Sequence, residues 1–318
     1  MKHPIIVIPN PIRPVLEEKL ESRFPLVRPF KSAEPGGVTL PKVISGAAIN
    51  GIGVDERFLD TYPDLEIVAN FGVGYDNVDV SACARRGIVV TNTPDVLTEE
   101  VADTTIALLL MTIRRLSKAE QWLRSGNWKA HGPFEYTPLT LRGRRLGIFG
   151  LGRIGKAIAH RAKAFGLEIH YHGRHKQEGI GFPFHDTLES LAGACDTLVI
   201  AAPGGPETHH AIDMKVLEAL GPDGVVINIG RGPTVDEAAL ATALKAGTIA
   251  AAGLDVFEHE PHVHPGLLDL DNVVLLPHVG SASVHTRDAM ASLVADNLIS
   301  WFETGRALTP VTETPNKA

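Results

Sequence analysis

Residues 146 to 174 read LGIFGLGRIGKAIAHRAKAFGLEIHYHGR, and they decide the fold. Leu146 to Phe149 is a short apolar run of strand type. It meets Gly150-Leu151-Gly152-Arg153-Ile154-Gly155, a G-x-G-x-x-G turn. Beyond the turn, Ile154, Ala157, Ile158, Ala162 and Phe165 fall on one face at helical spacing. Gly166 stands where a C′ glycine would stop that helix. A second strand, Leu167 to His172, follows and ends in Gly173-Arg174. Strand, glycine turn, helix and strand within one βαβ unit is the context in which the motif marks a dinucleotide site. Gly150 allows the sharp turn, Gly152 lets backbone approach a pyrophosphate, and Gly155 lets the helix pack close to the sheet. The helix N-terminus then faces the phosphates with its positive end.

The end of the second strand indicates which dinucleotide is bound. NAD sites usually carry Asp or Glu there, about 20 residues after the first glycine, to bind the ribose 2′-hydroxyl. Here the position holds His172, then Gly173, Arg174, His175 and Lys176. No carboxylate repels a 2′-phosphate and a guanidinium can pair with it, so NADPH is expected as the preferred cofactor, with NAD as the alternative.

The chain has 318 residues, enough for two domains with cores of their own. Its net charge of −7 gives no basic footprint for nucleic acid. The two cysteines, Cys83 and Cys195, suggest reduced thiols in the cytoplasm rather than a disulfide framework. After Met1-Lys2-His3-Pro4 the apolar run is too short for a signal peptide. The longest apolar stretch, Ile106 to Ile113, is far below the roughly 20 residues of a membrane span. A soluble, cytoplasmic protein without a membrane partner is expected.

Upstream of the motif, strands are expected at Pro4 to Pro9, Val43-Ile44, Ala47 to Ile49, Glu66 to Phe71 and Ile88 to Val90. Helical patterns cover Val15 to Phe24 and Asp79 to Arg86. This alternation predicts a parallel α/β unit over 1 to about 98. Thr98 looks like an N-cap for a helix running to Arg114-Arg115 that is apolar over much of its girth, and so covered on several sides. That helix would be the crossover between domains, with a second subunit as a further surface to cover it. Residues 126 to 140 read as an irregular arm whose aromatics, Trp128, Phe134 and Tyr136, suit an interface or an active-site wall. Downstream, Thr197 to Ala202, Val225 to Ile229, Ile249 to Leu254 and Val273 to Leu276 complete at least six strands. Asp236 to Ala246 is the clearest helix between them, and the last helix, from about Val284 to Glu303, should return to the first domain. The fold class is α/β, with a Rossmann-type doubly wound parallel sheet.

Ligands of an open parallel sheet gather at the carboxyl ends of its strands. Those ends carry Ala202-Pro203, Gly230-Arg231-Gly232, Asp255 through Glu260, and Pro277-His278. An arginine, a carboxylate and a histidine can therefore converge beside a nicotinamide. Reduction of a 2-keto acid requires those roles. A guanidinium holds the substrate carboxylate and polarises the keto oxygen. An imidazolium supplies the proton, and a carboxylate fixes its tautomer and favours its charged form. A metal reading of His259, His262 and His264 with Glu260 fails on Pro261 and Pro265, which forbid one regular helix, so no metal site is expected. His209-His210 and His170/His172 read as surface or strand residues.

Several blocks in order carry a resemblance: NFGVGYDNVDV (70–80), GIVVTNTPDVLTEEVAD (87–103), GIFGLGRIG (147–155), NIGRGPTVDE (228–237), GLDVFEHEP (253–261) and LLPHVGSAS (275–283). Over essentially its whole length the chain resembles the D-isomer-specific 2-hydroxyacid dehydrogenases. It is most similar to their NADPH-linked glyoxylate/hydroxypyruvate reductases and the hydroxyphenylpyruvate reductases. The resemblance implies a smaller, flavodoxin-like substrate domain (1–98 with 284–318), a dinucleotide-binding domain (99–283), a cleft between them that closes on a hinge, and a homodimer. It implies Arg231 as the substrate-binding arginine, Glu260 as the partner carboxylate and His278 as the acid/base. Val73 and Gly74 would offer N–H groups to the substrate carboxylate, and Arg153 and Ile154 would contact the pyrophosphate. Ala202, Pro203, Ile229, Gly230, Asp255, Gly280 and Ser281 would line the nicotinamide side. Ala201 to Gly205 departs from the leucine- and threonine-bearing loop of many relatives. Glu260 speaks against formate dehydrogenases, which carry an amide there. The implied activity is reduction of small 2-keto acids to D-2-hydroxy acids. The alternatives are an aryl-pyruvate reductase using either cofactor, and a non-enzymatic nucleotide sensor of corepressor type.

Overall fold

Buried parallel strands read as continuous apolar runs, because both faces of the sheet are covered. Such runs form two separate sheets in the computed structural model, which describes residues 4–31 and 43–315. Residues 1–3, with the N-terminal reading placed on them, and residues 32–42 and 316–318 of the expected substrate domain lie outside the described residues. The chain divides into two compact units, Met1–Leu97 with Ser283–Ala318, and Thr98–Ala282.

The first unit runs β1 (Ile6–Val7), α1 (Pro14–Glu21), β2 (Leu26–Val27), β3 (Gly46–Ile49), α2 (Glu56–Thr61), β4 (Ile67–Asn70), α3 (Val80–Arg85) and β5 (Val89–Thr91). All pairs are parallel, in the order β2-β1-β3-β4-β5, which is the flavodoxin-like order. One face buries Val7, Ile49, Leu59, Val68 and Val90. The other takes the long C-terminal helix Val284–Thr304, which returns here as expected. A Cβ on Gly46 would sit 2.7 Å from Ile6 Cδ1 and 3.0 Å from Phe302 of that helix, so the glycine sets how closely helix and sheet approach. Two elements escaped the sequence reading. The strand β2 has two residues, and α2 is short and polar, started by Asp55, whose carboxylate accepts the Phe58 N–H at 2.9 Å. Val43-Ile44, expected as strand, precedes β3 as irregular chain, although Ile44 is buried.

The second unit opens with α4 (Thr98–Arg114), α5 (Leu116–Arg124) and α6 (Asn127–His131). Thr98 lies inside α4 rather than capping it. As the all-round apolar pattern demands, α4 is buried along Val101, Ile106, Leu108, Leu109 and Ile113. Its Leu108 and Thr112 fill the space where Gly253 lacks a side chain. The expected irregular arm at 126–140 contains a regular element, α6, bracketed by Gly126 (φ +77°) and Gly132 (φ +87°).

The chain then continues through β6 (Arg145–Phe149), α7 (Arg153–Ala164), β7 (Glu168–His172), α8 (Leu188–Ala194), β8 (Thr197–Ile200), α9 (Met214–Leu220), β9 (Val225–Asn228), α10 (Glu237–Ala246), β10 (Ala251–Leu254), α11 (Pro265–Leu268) and β11 (Val273–Leu275). The parallel sheet has the order β11-β10-β9-β8-β6-β7. A single bridge from Tyr171 to Phe184 adds the remnant of a further strand outside β7. With it, the first six strands of the unit follow the doubly wound order, and the winding reverses between β6 and β8. Phe165, expected on the buried face of α7, is 46% exposed, because the helix ends at Ala164 and Phe165 is its C-cap. Both cysteines are free and buried. Burial pushes the Cys83 thiol up to about 11 and that of Cys195 up to about 12, so neither is a thiolate near neutrality. Among the described residues, no helix is long and apolar enough to cross a membrane.

Candidate active site

The glycine turn lies where the winding reverses, between β6 and α7. Gly150 has φ +94°, and a Cβ there would come within 2.6 Å of the Ala202 backbone nitrogen. A Cβ on Gly155 would lie 2.3 Å from the Gly150 carbonyl oxygen. Both glycines are therefore fixed by packing, one against the β8 end and one against the turn. Gly152 differs, since nothing lies within 4 Å of a Cβ built there. It caps α7 without a side chain over the first turn, which leaves the helix N-terminus open to an anion. Leu151 points inward at 2% exposure, and Arg153 and Ile154 form the first turn beside it. This cradle fits the pyrophosphate of a dinucleotide. At the end of β7, His172 gives its Nδ1 to the His185 carbonyl at 2.8 Å and stacks on Phe184. Gly173 follows, half-buried, and then Arg174, His175 and Lys176 are exposed.

Three strand-end loops bring the expected chemistry together. His278 Nδ1 lies 2.8 Å from Glu260 Oε2, and the other Glu260 oxygen accepts the Phe257 N–H at 3.0 Å. Burial alone would push the Glu260 carboxyl up. The hydrogen bonds from His278 and Phe257, with the charges of His278 and Arg231, outweigh it and hold the group below the ordinary carboxylate range. Arg231 follows β9 in extended backbone, and its Nη1 donates to the Gly230 carbonyl at 2.8 Å. His278 has φ +52°, in the left-handed region that is uncommon outside glycine but more open to Asn, Asp and His than to other side chains. Its N–H donates to the Asp255 carbonyl at 2.9 Å. The buried Asp255 carboxylate accepts the Val279 N–H at 2.7 Å and the Gly280 N–H at 2.8 Å. Burial raises the Asp255 carboxyl despite those bonds. Asp255 thus shapes the turn carrying His278, Gly280 and the buried Ser281.

Two further residues inside the quoted blocks, Asn228 and Gly232, shape the candidate site. Asn228 is buried and folds the loop after β9 on itself. Its Nδ2 donates to the Arg231 carbonyl at 2.9 Å, and its Oδ1 accepts the Gly230 N–H at 3.1 Å. Gly232 is in contact with the next loop. A Cβ there would lie 1.8 Å from the Phe257 carbonyl carbon and 2.4 Å from the Glu258 nitrogen. That contact places the loop bearing Arg231 against the loop bearing Glu260. Gly230 does the same toward β8, since its Cβ would fall 2.7 Å from the Ala202 carbonyl oxygen. Ile229 and Ala202 are buried in this seam, and Pro203 is exposed beyond it.

In the first unit, the turn after β4 aims its carbonyls inward. Asn92 Nδ2 donates to the Val73 carbonyl at 2.8 Å, and Asn70 Nδ2 to that of Gly74 at 2.9 Å. Among the described residues, neither the Val73 nor the Gly74 N–H has a hydrogen-bond partner. Such a turn suits a carboxylate.

The remaining histidines separate by environment. His259 and His262 are exposed, and His264 caps α11 through Nδ1. His210, read as a surface residue, is half-buried and contacts Glu258 at 2.6 Å, with His209 stacked on it. Among the described residues, His209, His210 and Glu258 form the one group whose donor atoms approach metal-site spacing. His170 is buried and bonded to His185 at 2.9 Å.

Comparison with known proteins places the chain in a family. A sequence model described as the NAD-binding domain of D-isomer specific 2-hydroxyacid dehydrogenases matches residues 106–280. A glyoxylate/hydroxypyruvate reductase A of Arabidopsis thaliana is 47% identical over 304 residues, spanning 95% of this chain and 96% of its own. A hydroxyphenylpyruvate reductase of Plectranthus scutellarioides is 46% identical over the same shares of the two chains. The crystal structure of an NADPH-dependent glyoxylate/hydroxypyruvate reductase of Sinorhizobium meliloti, in complex with NADP and malonate, superposes with a TM-score of 0.95. It is 57% identical and covers 100% of this chain and 99% of its own. By its sequence and its fold, this chain belongs to the D-isomer-specific 2-hydroxyacid dehydrogenase family.

Proposed function

We propose that this chain is an NADPH-dependent reductase that converts small 2-keto acids of the glyoxylate and hydroxypyruvate type to D-2-hydroxy acids. The observation that carries the reading is the 2.8 Å contact of His278 Nδ1 with Glu260, set beside Arg231 at three strand ends of one sheet. Glu260 accepts from Nδ1, which leaves His278 Nε2 to carry the proton that the substrate oxygen receives. Arg231 holds the substrate carboxylate and polarises the keto oxygen as negative charge grows there. When bound, the reduced nicotinamide supplies the hydride. The turn at Val73 and Gly74 suits a carboxylate, which supports the first unit as the substrate domain, and the glycine turn supports the second as the dinucleotide domain. Gly150 to Gly155 take the pyrophosphate, and Arg174, with His172 and Gly173, takes the 2′-phosphate. Ala202, Pro203, Ile229, Gly230, Asp255, Gly280 and Ser281 border the nicotinamide.

An aryl-pyruvate substrate is the second reading, favoured by the hydroxyphenylpyruvate reductase relative. The deciding experiment measures kcat/KM for glyoxylate, hydroxypyruvate, pyruvate, phenylpyruvate and hydroxyphenylpyruvate with each cofactor. Highest values for glyoxylate and hydroxypyruvate with NADPH support the first reading, and NADPH or NADH binding without turnover of any acid supports a sensor instead.

The same reading includes a homodimer. Leu116, Leu123, Trp128 and Tyr136 are exposed on one segment of the second unit, and Tyr136 is fully so. Apolar exposure of this kind suits a covered surface. Light scattering at micromolar concentration reads the mass, and a 34.1 kDa species would overturn the dimer. Two buried reduced thiols suit the cytoplasm.

A further inference from the structure

The loop after β7 is pinned at both ends, and the segment between the pins is basic. At the near end His172 is held by the His185 carbonyl and stacked on Phe184. At the far end Gln177 makes two hydrogen bonds. Its backbone N–H donates to the Tyr171 hydroxyl at 2.9 Å, and its side-chain Nε2 donates to the Leu151 carbonyl at 2.8 Å. Neither acceptor can wander. Tyr171 is 1% exposed with its ring against Phe184, and Leu151 is 2% exposed within the glycine turn. Between the pins stand Gly173, Arg174, His175 and Lys176, and Glu178 lies just past the second pin.

We infer that Gln177 is a positioning residue for cofactor choice: by bridging the glycine turn and the β7 loop, it fixes the spacing between the pyrophosphate cradle and Arg174. The inference rests on the NADPH reading above and goes beyond it to a residue outside the cofactor motif. The physical reason is the covalent geometry of the ligand. Pyrophosphate and 2′-phosphate belong to one molecule at a set separation, so the two anion subsites must keep a matching separation. Exposed Arg and Lys side chains already lose rotamer freedom on binding. A loop that also had to be ordered would add to that loss and weaken only the contacts it carries. A dinucleotide lacking the 2′-phosphate makes no use of Arg174's charge and so depends little on the bridge.

The test uses the full chain and two variants, Gln177→Ala and Tyr171→Phe. The second keeps the buried ring and removes only the hydroxyl that accepts the Gln177 N–H. Calorimetric Kd values for NADPH and NADH are measured alongside KM and kcat with a turned-over 2-keto acid. Each variant is expected to raise the NADPH Kd and KM by about tenfold, the scale of ordering a few side chains on binding. The NADH Kd should move less than about twofold, and kcat at saturating NADPH should hold. An unchanged NADPH/NADH ratio in Tyr171→Phe overturns the inference. So does an equal loss for both cofactors, which would mean that the glycine turn itself has collapsed. A wild-type protein without preference for NADPH sinks the cofactor reading instead, a separate result visible before any variant is made.

Discussion

Replacing Gly232 by alanine should damage catalysis far more than the added methyl group suggests. The new Cβ would stand 1.8 Å from the Phe257 carbonyl carbon, 1.9 Å from its oxygen and 2.4 Å from the Glu258 nitrogen. All three are backbone atoms, so no rotamer change relieves the overlap. Restoring an ordinary 3.4 Å contact requires the two loops to part by about 1.6 Å, the difference between that value and 1.8 Å. The loop that must move contains the Phe257 N–H that holds Glu260, and through it His278. Overpacking of this kind costs about 1–3 kcal/mol. In a unit of this size that lowers the melting temperature by roughly 2–12 °C. A misplacement of about 1 Å at reacting groups costs about 100-fold in rate. Thermal melting, NADPH titration and kcat/KM on one preparation separate the effects. The expected pattern is a modest loss of stability, near-normal cofactor affinity and a loss of turnover near two orders of magnitude. Wild-type kcat/KM in Gly232→Ala would show that the loops are not registered by this contact.

Gly152→Ala is the converse case. With open space around its Cβ, the variant should melt within about 0.5 kcal/mol of wild type, the range of neutral surface changes, yet bind NADPH at least several-fold more weakly; unchanged affinity would remove the pyrophosphate from that turn. His278→Asn should lower kcat by about 100-fold to 10,000-fold with cofactor Kd intact, and preserved turnover would end its assignment as acid/base. Glu260→Gln keeps the acceptor for the Phe257 N–H but loses the charge facing His278. The side chains of His278 and Glu260 are 49% and 36% exposed, so the loss should sit at the low end of charged hydrogen bonds, about 10-fold to 30-fold in kcat/KM. Because the Glu260 carboxyl is held below its ordinary range, its stabilising effect is complete above that range, about pH 4.3, and disappears as pH falls through the depressed value. Denaturant melts of wild type and Glu260→Gln should therefore differ at pH 6 and converge on acidification; a constant gap would contradict the sign.

Much of the fold was readable because buried parallel strands leave uninterrupted apolar runs, as at Val225 to Ile229, and because Gly166 and Gly247 stop helices in view. The candidate site was legible because ligands of a parallel sheet gather at its strand ends, a rule that singles out Arg231 and His278 without any family. What escaped depends on partners distant in the chain. Nothing local in Gly232 announces the Phe257 backbone against it, and nothing in Gln177 announces the Leu151 carbonyl. Asn228 lay inside a quoted block, but its role is to close a loop, which residue type alone does not declare. Helix ends failed by a residue where a cap decides the matter, as at Phe165 and Thr98. The helix α6 was hidden because the glycines on either side read as irregular chain.

The positive φ of His278 dictates how that position should be mutated. Asparagine visits such a backbone more readily than other side chains, whereas β-branched residues resist it. A full substitution library there would divide first by conformational tolerance and only then by proton chemistry. Inactive Val or Ile clones would report misfolding, and only folded, silent Asn or Gly clones would report a missing imidazole.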